Sequence, residues 1–373
     1  SRHGEYGYIL IVDLHYPKEI HDWTATYPLA PEHREITVDD YSLEMLREWQ
    51  ASNPDQRRIR KESKLVATCE DKEKYVVHYR TLQFYLRQGM QLRRIHQVLR
   101  FRQTAWLSGY ILDNIARRKT AKSTFESDFY KKSNNSVFGK TQEQKRKRTN
   151  FRLTADSSEM LRLIALPNYE GSTIISDDLV GIHMKHLNVL LDQPIYVGFT
   201  VLELSKLLMF HFFYDVIKPL FQENVEVVYT DTDSLHLYLT GPRIIPKLES
   251  IRDEWIDGSN LPPDHPLHCT HNKGTVGLFK EEMNGQPIAE MVTLRPKMYS
   301  IRSADGGKDK KRAKGVKKSV VETALTFEDY LEVFQVEDRP PIKATQTTLQ
   351  SRRHVVSTTR QTRKALSLFD NKR

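Results

Sequence analysis

Cysteine is nearly absent: the 373 residues hold two, Cys69 and Cys269. They lie far apart and give no disulfide framework, the usage expected of a reducing compartment. No apolar run approaches the ~18 residues that a membrane span requires, so no membrane partner is expected. A secretory leader pattern is also missing, because Ser1-Arg2-His3-Gly4-Glu5 runs straight into a β-rich stretch at residues 6–13. That opening, without a methionine, gives the expectation of a piece cut from a longer polypeptide. Acidic residues are in deficit, 48 against 57 basic, for a net charge of +9. The balance suits a nucleic-acid partner, although charge alone does not separate nucleic acid from other polyanions. The length allows two or three compact units with real cores.

The chain is organised around Val227-Val228-Tyr229-Thr230-Asp231-Thr232-Asp233-Ser234-Leu235-His236-Leu237-Tyr238. β-Formers lead in and alternating apolar residues lead out, so the stretch reads as a hairpin with Asp-Thr-Asp at its tip. Residues two apart on extended backbone face the same way, which would bring the carboxylates of Asp231 and Asp233 together. Like charges that close repel unless a cation neutralises them, and Mg²⁺ takes such oxygen ligands. A solvated turn is the common alternative for three such residues. An EF-hand loop is excluded, since Leu235 and His236 fall where a ligand and a glycine are needed.

Residues 6–13 read as a strand, followed by a proline-containing loop to Glu32 and a short amphipathic segment at 40–50. Residues 51–63, including Asn53-Pro54-Asp55-Gln56-Arg57-Arg58, read as a surface loop. Residues 65–79 read as strand, turn and strand, and 79–89 as a helix stopped by Gly89. From 106 to 138 the pattern is helical, with Ile111, Leu112, Ile115, Phe125, Phe129 and Tyr130 among many cations. Arg118 and Lys122, four apart, would share a face. The basic run Lys145-Arg146-Lys147-Arg148 follows, then short strands with a turn at Gly171-Ser172-Thr173. Residues 197–214 form the most apolar helix, with Val201, Leu204, Leu208 and Phe212 as its core stripe.

Beyond Leu239 lies a polar, proline-containing segment with His265, His268, Cys269 and His271. One cysteine among clustered histidines is weak against the usual zinc spacings. Strands are expected at 276–279, 288–294 and 297–301, and Lys297 and Tyr299 would share a strand face. A dense basic stretch, Lys308 to Lys318, is followed by a helix with Thr326 as N-cap and Asp329 in the capping-box position. The tail, with Arg352, Arg353, Arg360, Arg363 and Lys364, is basic and extended.

Tyr229-Thr230-Asp231-Thr232-Asp233-Ser234 resembles the C motif of family B DNA polymerases. Lys131-x₃-Asn135-Ser136-x-Phe138-Gly139 resembles their B motif, with Phe138 keeping the ring of the usual tyrosine and dropping its hydroxyl. Lys297-Met298-Tyr299 resembles the Lys-x-Tyr motif. In this order the three resemble the protein-primed polymerases of Polinton/Maverick-type transposons and related viruses. Gly7-Tyr8-Ile9-Leu10, Tyr27-Pro28-Leu29-Ala30-Pro31-Glu32, Tyr196-Val197-Gly198-Phe199 and Ala313-Lys314-Gly315-Val316-Lys317-Lys318 share the likeness.

The resemblance implies an α+β right-hand architecture of fingers, antiparallel-sheet palm and thumb, incomplete at the N-terminus. Residues 1–99 would be an insertion region, 100–142 the fingers and 143–195 a second insertion. Residues 196–322 would be the palm and 323–373 the start of the thumb. It implies nucleotidyl transfer from dNTPs to a primer on a DNA template, with a terminal priming protein as a further partner. Two Mg²⁺ ions ~3.5–4 Å apart would be held by Asp231 and Asp233 as the catalytic pair, with an aspartate upstream of this chain. Lys131, Asn135, Ser136, Phe138 and Gly139 would bind the nucleotide, and Tyr229, Thr232, Lys297 and Tyr299 the primer. The family's A motif has no counterpart: Asp13 and Asp22 have the wrong spacing or context and neither is assigned. Nor is the family's exonuclease present. A DNA-binding remnant without chemistry is the alternative. Reverse transcriptases and RNA polymerases are disfavoured, because their palms carry adjacent aspartates.

Overall fold

The computed structural model describes residues 4–52, 61–336, 340–352 and 355–368. The loop expected over Asn53 to Arg58, and Arg353 of the tail, lie outside the described residues. Helices and strands mix along the chain, and the strands gather in several small sheets, nearly all antiparallel. The chain divides into two compact units. The first comprises Ser1–Trp106, Leu202–Ala344 and Thr362–Arg373, and the second Leu107–Val201 and Thr345–Gln361.

In the first unit the opening strand, Tyr6–His15, lies between Lys72–His78 and Gln91–Arg102 in an antiparallel sheet. The last of these strands had no counterpart in the sequence reading. Asp13 accepts a bond from the Lys74 amide (2.8 Å) and pairs with His96 (2.8 Å), which ties its carboxylate into the sheet. The expected loop after Tyr16 contains two short helical turns, Lys18–Ile20 and His21–Thr24. The Tyr16 hydroxyl holds them by donating to Thr24 (2.6 Å). The strands within 65–79 form but do not pair with each other. Glu62–Val66 pairs with Glu32–Ile36, and Lys72–His78 with the opening strand. The helix Tyr79–Arg87 stops as expected before Gly89, which sits at φ +106°.

The helix Ile195–His211 continues through a π-helical turn, Phe212–Ile217. The core stripe expected at Val201, Leu204, Leu208 and Phe212 is wrong at its start: Val201 is 47% exposed. Burial instead runs through Leu207, Phe210, Phe212, Phe213, Tyr214 and Ile217, packed with Tyr85, Phe84 and Val12. A helix that is apolar all round does not announce its buried face, and the π turn shifts the period. By length and composition alone this helix, extended to Asn224, is long and apolar enough to cross a membrane, contrary to the reading from apolar runs. In the fold its C-terminal half is core.

His78, next to this core, is fully buried with neither ring nitrogen bonded. Burial pushes its imidazole down to about 4, against the opposing charge of Glu203 and with the help of Arg80. Above about pH 6.5 the ring is neutral folded or unfolded and contributes nothing. As pH falls toward 4, the unfolded chain takes up a proton that the folded chain refuses. Stability is therefore expected to drop by about 2 kcal/mol between pH 7 and 5 on this residue's account. Urea melts at the two pH values check it, with a flatter slope expected for His78→Phe.

Toward the C-terminus, Ile288–Arg295, Met298–Ser303 and Lys310–Ala313 form an antiparallel sheet. Helices Lys318–Ala324 and Phe327–Gln335 cover it through Val321, Phe327 and Tyr330, with Leu325 from the connection between them. The capping box is present: the Asp329 amide donates to Thr326 Oγ1 (3.2 Å), and the Thr326 amide to the Asp329 carboxylate (2.7 Å). Thr326→Ala is expected to cost about 1 kcal/mol in denaturant melts. Of the strand expected at 276–279 only Phe279–Lys280 forms, parallel to Ile256–Asp257, because Gly274 and Gly277 turn the chain at positive φ.

In the second unit the expected continuous helix is two, Ser108–Lys119 and Thr124–Thr141. Ser123 caps the second by accepting from the Glu126 amide (3.1 Å), so Lys122 falls between helices and does not share a helical face with Arg118. Asn114 donates to Asn134 (2.8 Å) and joins the pair. Strands Asn150–Thr154, Leu179–Met184 and Tyr169–Ser176 form the adjoining sheet. Gly171-Ser172-Thr173 lies inside the last of these rather than at a turn. The tail is extended as expected, Val355–Leu366 pairing with Ile342–Arg352.

Candidate functional site

The central hairpin forms from Val225–Asp231 and Ser234–Leu239, with Asp231 opposite Ser234 and Thr232-Asp233 as the connection. The Asp233 amide donates to the Asp231 carbonyl (2.6 Å), the i to i+2 bond of a γ-turn, and Thr232 sits at φ +59°. The expected strand alternation of Asp231 and Asp233 is therefore corrected. A tight turn, not an extended backbone, connects them. A β-branched residue at positive φ is strained, and such strain persists only where surrounding structure enforces it.

A second turn meets this one. Lys297 connects Ile288–Arg295 to Met298–Ser303 at φ +62°. It is thus a turn residue and not, as expected, on a strand face with Tyr299. Its amide donates to the Tyr229 hydroxyl (2.8 Å) and its Nζ to Asp231 Oδ2 (2.9 Å). The bond it donates to Asp231, then the charge of that carboxylate, raises the Lys297 ammonium above the usual lysine range. Asp231 Oδ1 accepts from the Thr232 hydroxyl (3.2 Å), so both oxygens of that carboxylate are engaged. Asp233 is exposed.

Behind the turns lies an aromatic triad. The rings of Tyr229 and Tyr299 are 5.2 Å apart, and His236 stands 5.4 and 5.5 Å from them. Tyr229, Tyr299, Met283 and Ile301 form a small core of their own. Burial raises the Tyr229 phenol, against the bond from the Lys297 amide, and burial lowers the His236 imidazole. His236 was missed in the sequence, although it is the cross-strand partner of Tyr229 and the hairpin register finds it. Tyr27 was also missed: its buried hydroxyl is bonded to Thr230, one residue before Asp231.

Lys131, Asn135, Ser136, Phe138 and Gly139 all lie on Thr124–Thr141 in the second unit. Lys131 and Asn135 are exposed and four apart, hence on one face, with Phe138 half-buried a turn further on. Asn134, which the motif skips, makes the internal bonds, and Ser136 bonds back to the Ser133 carbonyl (2.9 Å). A side chain at Gly139 would meet nothing within 4 Å, so packing inside the unit does not demand a glycine there.

Of the four candidate zinc ligands, His265 accepts from the Leu267 amide (3.1 Å) and His268 is bonded to the Leu261 carbonyl (2.8 Å). Cys269 and His271 come together, and Asp253 joins them from a preceding helical turn. Among the described residues this is the cluster of three metal-capable side chains; Asp231 and Asp233 do not form one. As oxygen donors at a partly exposed turn they have the chemistry Mg²⁺ takes, which completes its shell with water and substrate phosphates. Set against protein-family models, curated proteins and solved structures, the chain matches none.

Proposed function

We propose that the chain is the polymerising part of a template-directed DNA polymerase that resembles the protein-primed family B enzymes. The observation that supports the reading is the meeting of two stretches 66 residues apart, both part of the resemblance, through the Lys297–Asp231 pair. The bond from the Lys297 amide to Tyr229 reinforces it. On this reading 1–99 and 143–195 are insertion regions, 100–142 the fingers, 196–322 the palm and 323–373 the start of the thumb.

Asp231 and Asp233 would hold Mg²⁺, which when bound neutralises the charge that builds on the phosphates and activates the primer 3′-hydroxyl. Lys297 is the cation at the tip: it balances Asp231 without DNA and would turn toward a primer phosphate when DNA is bound. Tyr229 and Tyr299 form an apolar wall that fixes the turn carrying Lys297, and Thr232 sets the γ-turn. Lys131 and Asn135 present an ammonium and an amide on one helix face, as a triphosphate and a base edge require. The open space at Gly139 leaves room for a base pair to approach the backbone.

A DNA-binding remnant is the second reading. It is favoured by the engagement of both Asp231 oxygens and by the lack of an A-motif counterpart, while the intact Asp231 and Asp233 argue against it. Template-directed incorporation by the polypeptide that contains this chain, wild type against Asp233→Asn, separates them. Undiminished incorporation removes the polymerase assignment.

A further inference from the structure

The stretch from Ile256–Asp257 to Ile288 has almost no regular structure, two short strands of two residues each. Its segment 265–274 is nonetheless held tightly against the turn Arg252–Trp255. The Asn272 amide, buried, donates to the carbonyls of Asp253 (3.0 Å) and Ile256 (2.9 Å). Backbone packs on backbone at Gly258, where an added Cβ would lie 2.0 Å from the Leu267 carbonyl oxygen. These contacts carry Cys269 and His271 up to Asp253.

The three side chains offer a thiol, an imidazole and a carboxylate within 4.8 Å of one another. His271 Nε2 lies 3.6 Å from Cys269 Sγ and 3.7 Å from Asp253 Oδ1, while Nδ1 of the same ring bonds the thiol at 3.0 Å. Around a tetrahedral ion with metal–sulfur and metal–nitrogen bonds of ~2.3 and ~2.0 Å, neighbouring ligand atoms are about 3.5 Å apart. Nε2 is thus near ligand spacing from both partners, and a turn of the exposed ring that takes Nδ1 off the thiol would aim Nε2 at a shared ion. Arg252 Nε donates to Asp253 Oδ1 (3.0 Å), the kind of outer bond that orients a ligating carboxylate. Cys269 is buried, and the other two ligands open to solvent.

We propose that Asp253, Cys269 and His271 bind one Zn²⁺ through Sγ, Nε2 and a carboxylate oxygen, with water in the fourth position, pinning the irregular segment to the turn beneath it. Soft sulfur beside nitrogen and oxygen selects zinc over Mg²⁺ or Ca²⁺. The Cys269 thiol gives up its proton to solvent as the metal binds. This site is separate in chemistry and residues from the proposed polymerase centre, and stands or falls without it.

The test uses the full chain under reducing conditions. Zinc titrated against a chromophoric chelator is expected to bind at one equivalent. Co²⁺ in its place should give a thiolate-to-cobalt charge-transfer band. Cys269→Ser is expected to abolish the band. His271→Ala, at a side chain 62% exposed and so safe for folding, should weaken zinc by more than the ~10–100-fold that loss of an outer partner costs. His265→Ala and His268→Ala are expected to leave affinity unchanged. No stoichiometric binding, no thiolate band, or affinity that survives His271→Ala overturns the proposal and leaves Cys269–His271 a plain thiol–imidazole hydrogen bond.

Discussion

Asp233→Asn is expected to lower template-directed incorporation by about 10³-fold, about 4 kcal/mol of transition-state stabilisation. The substitution keeps the shape of the side chain and removes its charge. Asp233 is exposed, and among the described residues its side chain makes no hydrogen bond or ion pair. Melting behaviour should therefore stay within about 0.5 kcal/mol of wild type, as for surface changes generally. Loss of incorporation with unchanged stability and unchanged primer binding places the effect in the chemical step. Asp231→Asn should be as severe for incorporation but differ in one respect. It releases Lys297 from its anionic partner, so retention on DNA should rise or hold while turnover falls. A filter-binding series beside the extension assay reads both.

Gly258→Ala is expected to destabilise the first unit by about 3 kcal/mol, although it adds one methyl group. The new carbon would sit 2.0 Å from the Leu267 carbonyl oxygen and 3.1 Å from the Cys269 amide nitrogen, both backbone atoms. No rotamer change relieves such a clash, so the segment must move and break the Asn272 bonds that hold it. At about 2–4 °C per kcal/mol for a unit of this size, a drop of roughly 6–12 °C in Tm is anticipated by calorimetry. A drop under 2 °C would mean that the segment gives way without cost. Gly139→Ala is the natural control, since nothing stands within 4 Å of the position.

The hairpin, the stop at Gly89 and the Thr326–Asp329 box were legible because each is a local matter of β-formers, a left-handed residue or a three-residue spacing. The turn geometry at the tip was not. Thr232 and Lys297 adopt positive φ, yet neither residue type signals such a turn, so both were read as extended. Strand partners were equally hidden. Gln91–Arg102 pairs with the opening strand over some ninety residues and is exposed almost throughout, so no apolar alternation marks it. Asp253 joins Cys269 and His271 from a different turn of chain, a proximity that spacing within one loop does not contain. The break between Lys119 and Thr124 turns on one capping serine, whose signal was outweighed by apolar residues on either side.

The order of the chain has a consequence for how it is made. The opening sheet is complete by residue 102, but Phe210, Phe213 and Tyr214, which close the core over Val12 and Tyr85, emerge only after residues 107 to 201 have been synthesised. At ~5–20 residues per second the ribosome spends about 5–20 s on that intervening stretch. During that wait an oily, half-built sheet stands open in the nascent protein. Slow translation there, or a shortage of holding chaperones, would convert a sound sequence into aggregate before its last third exists.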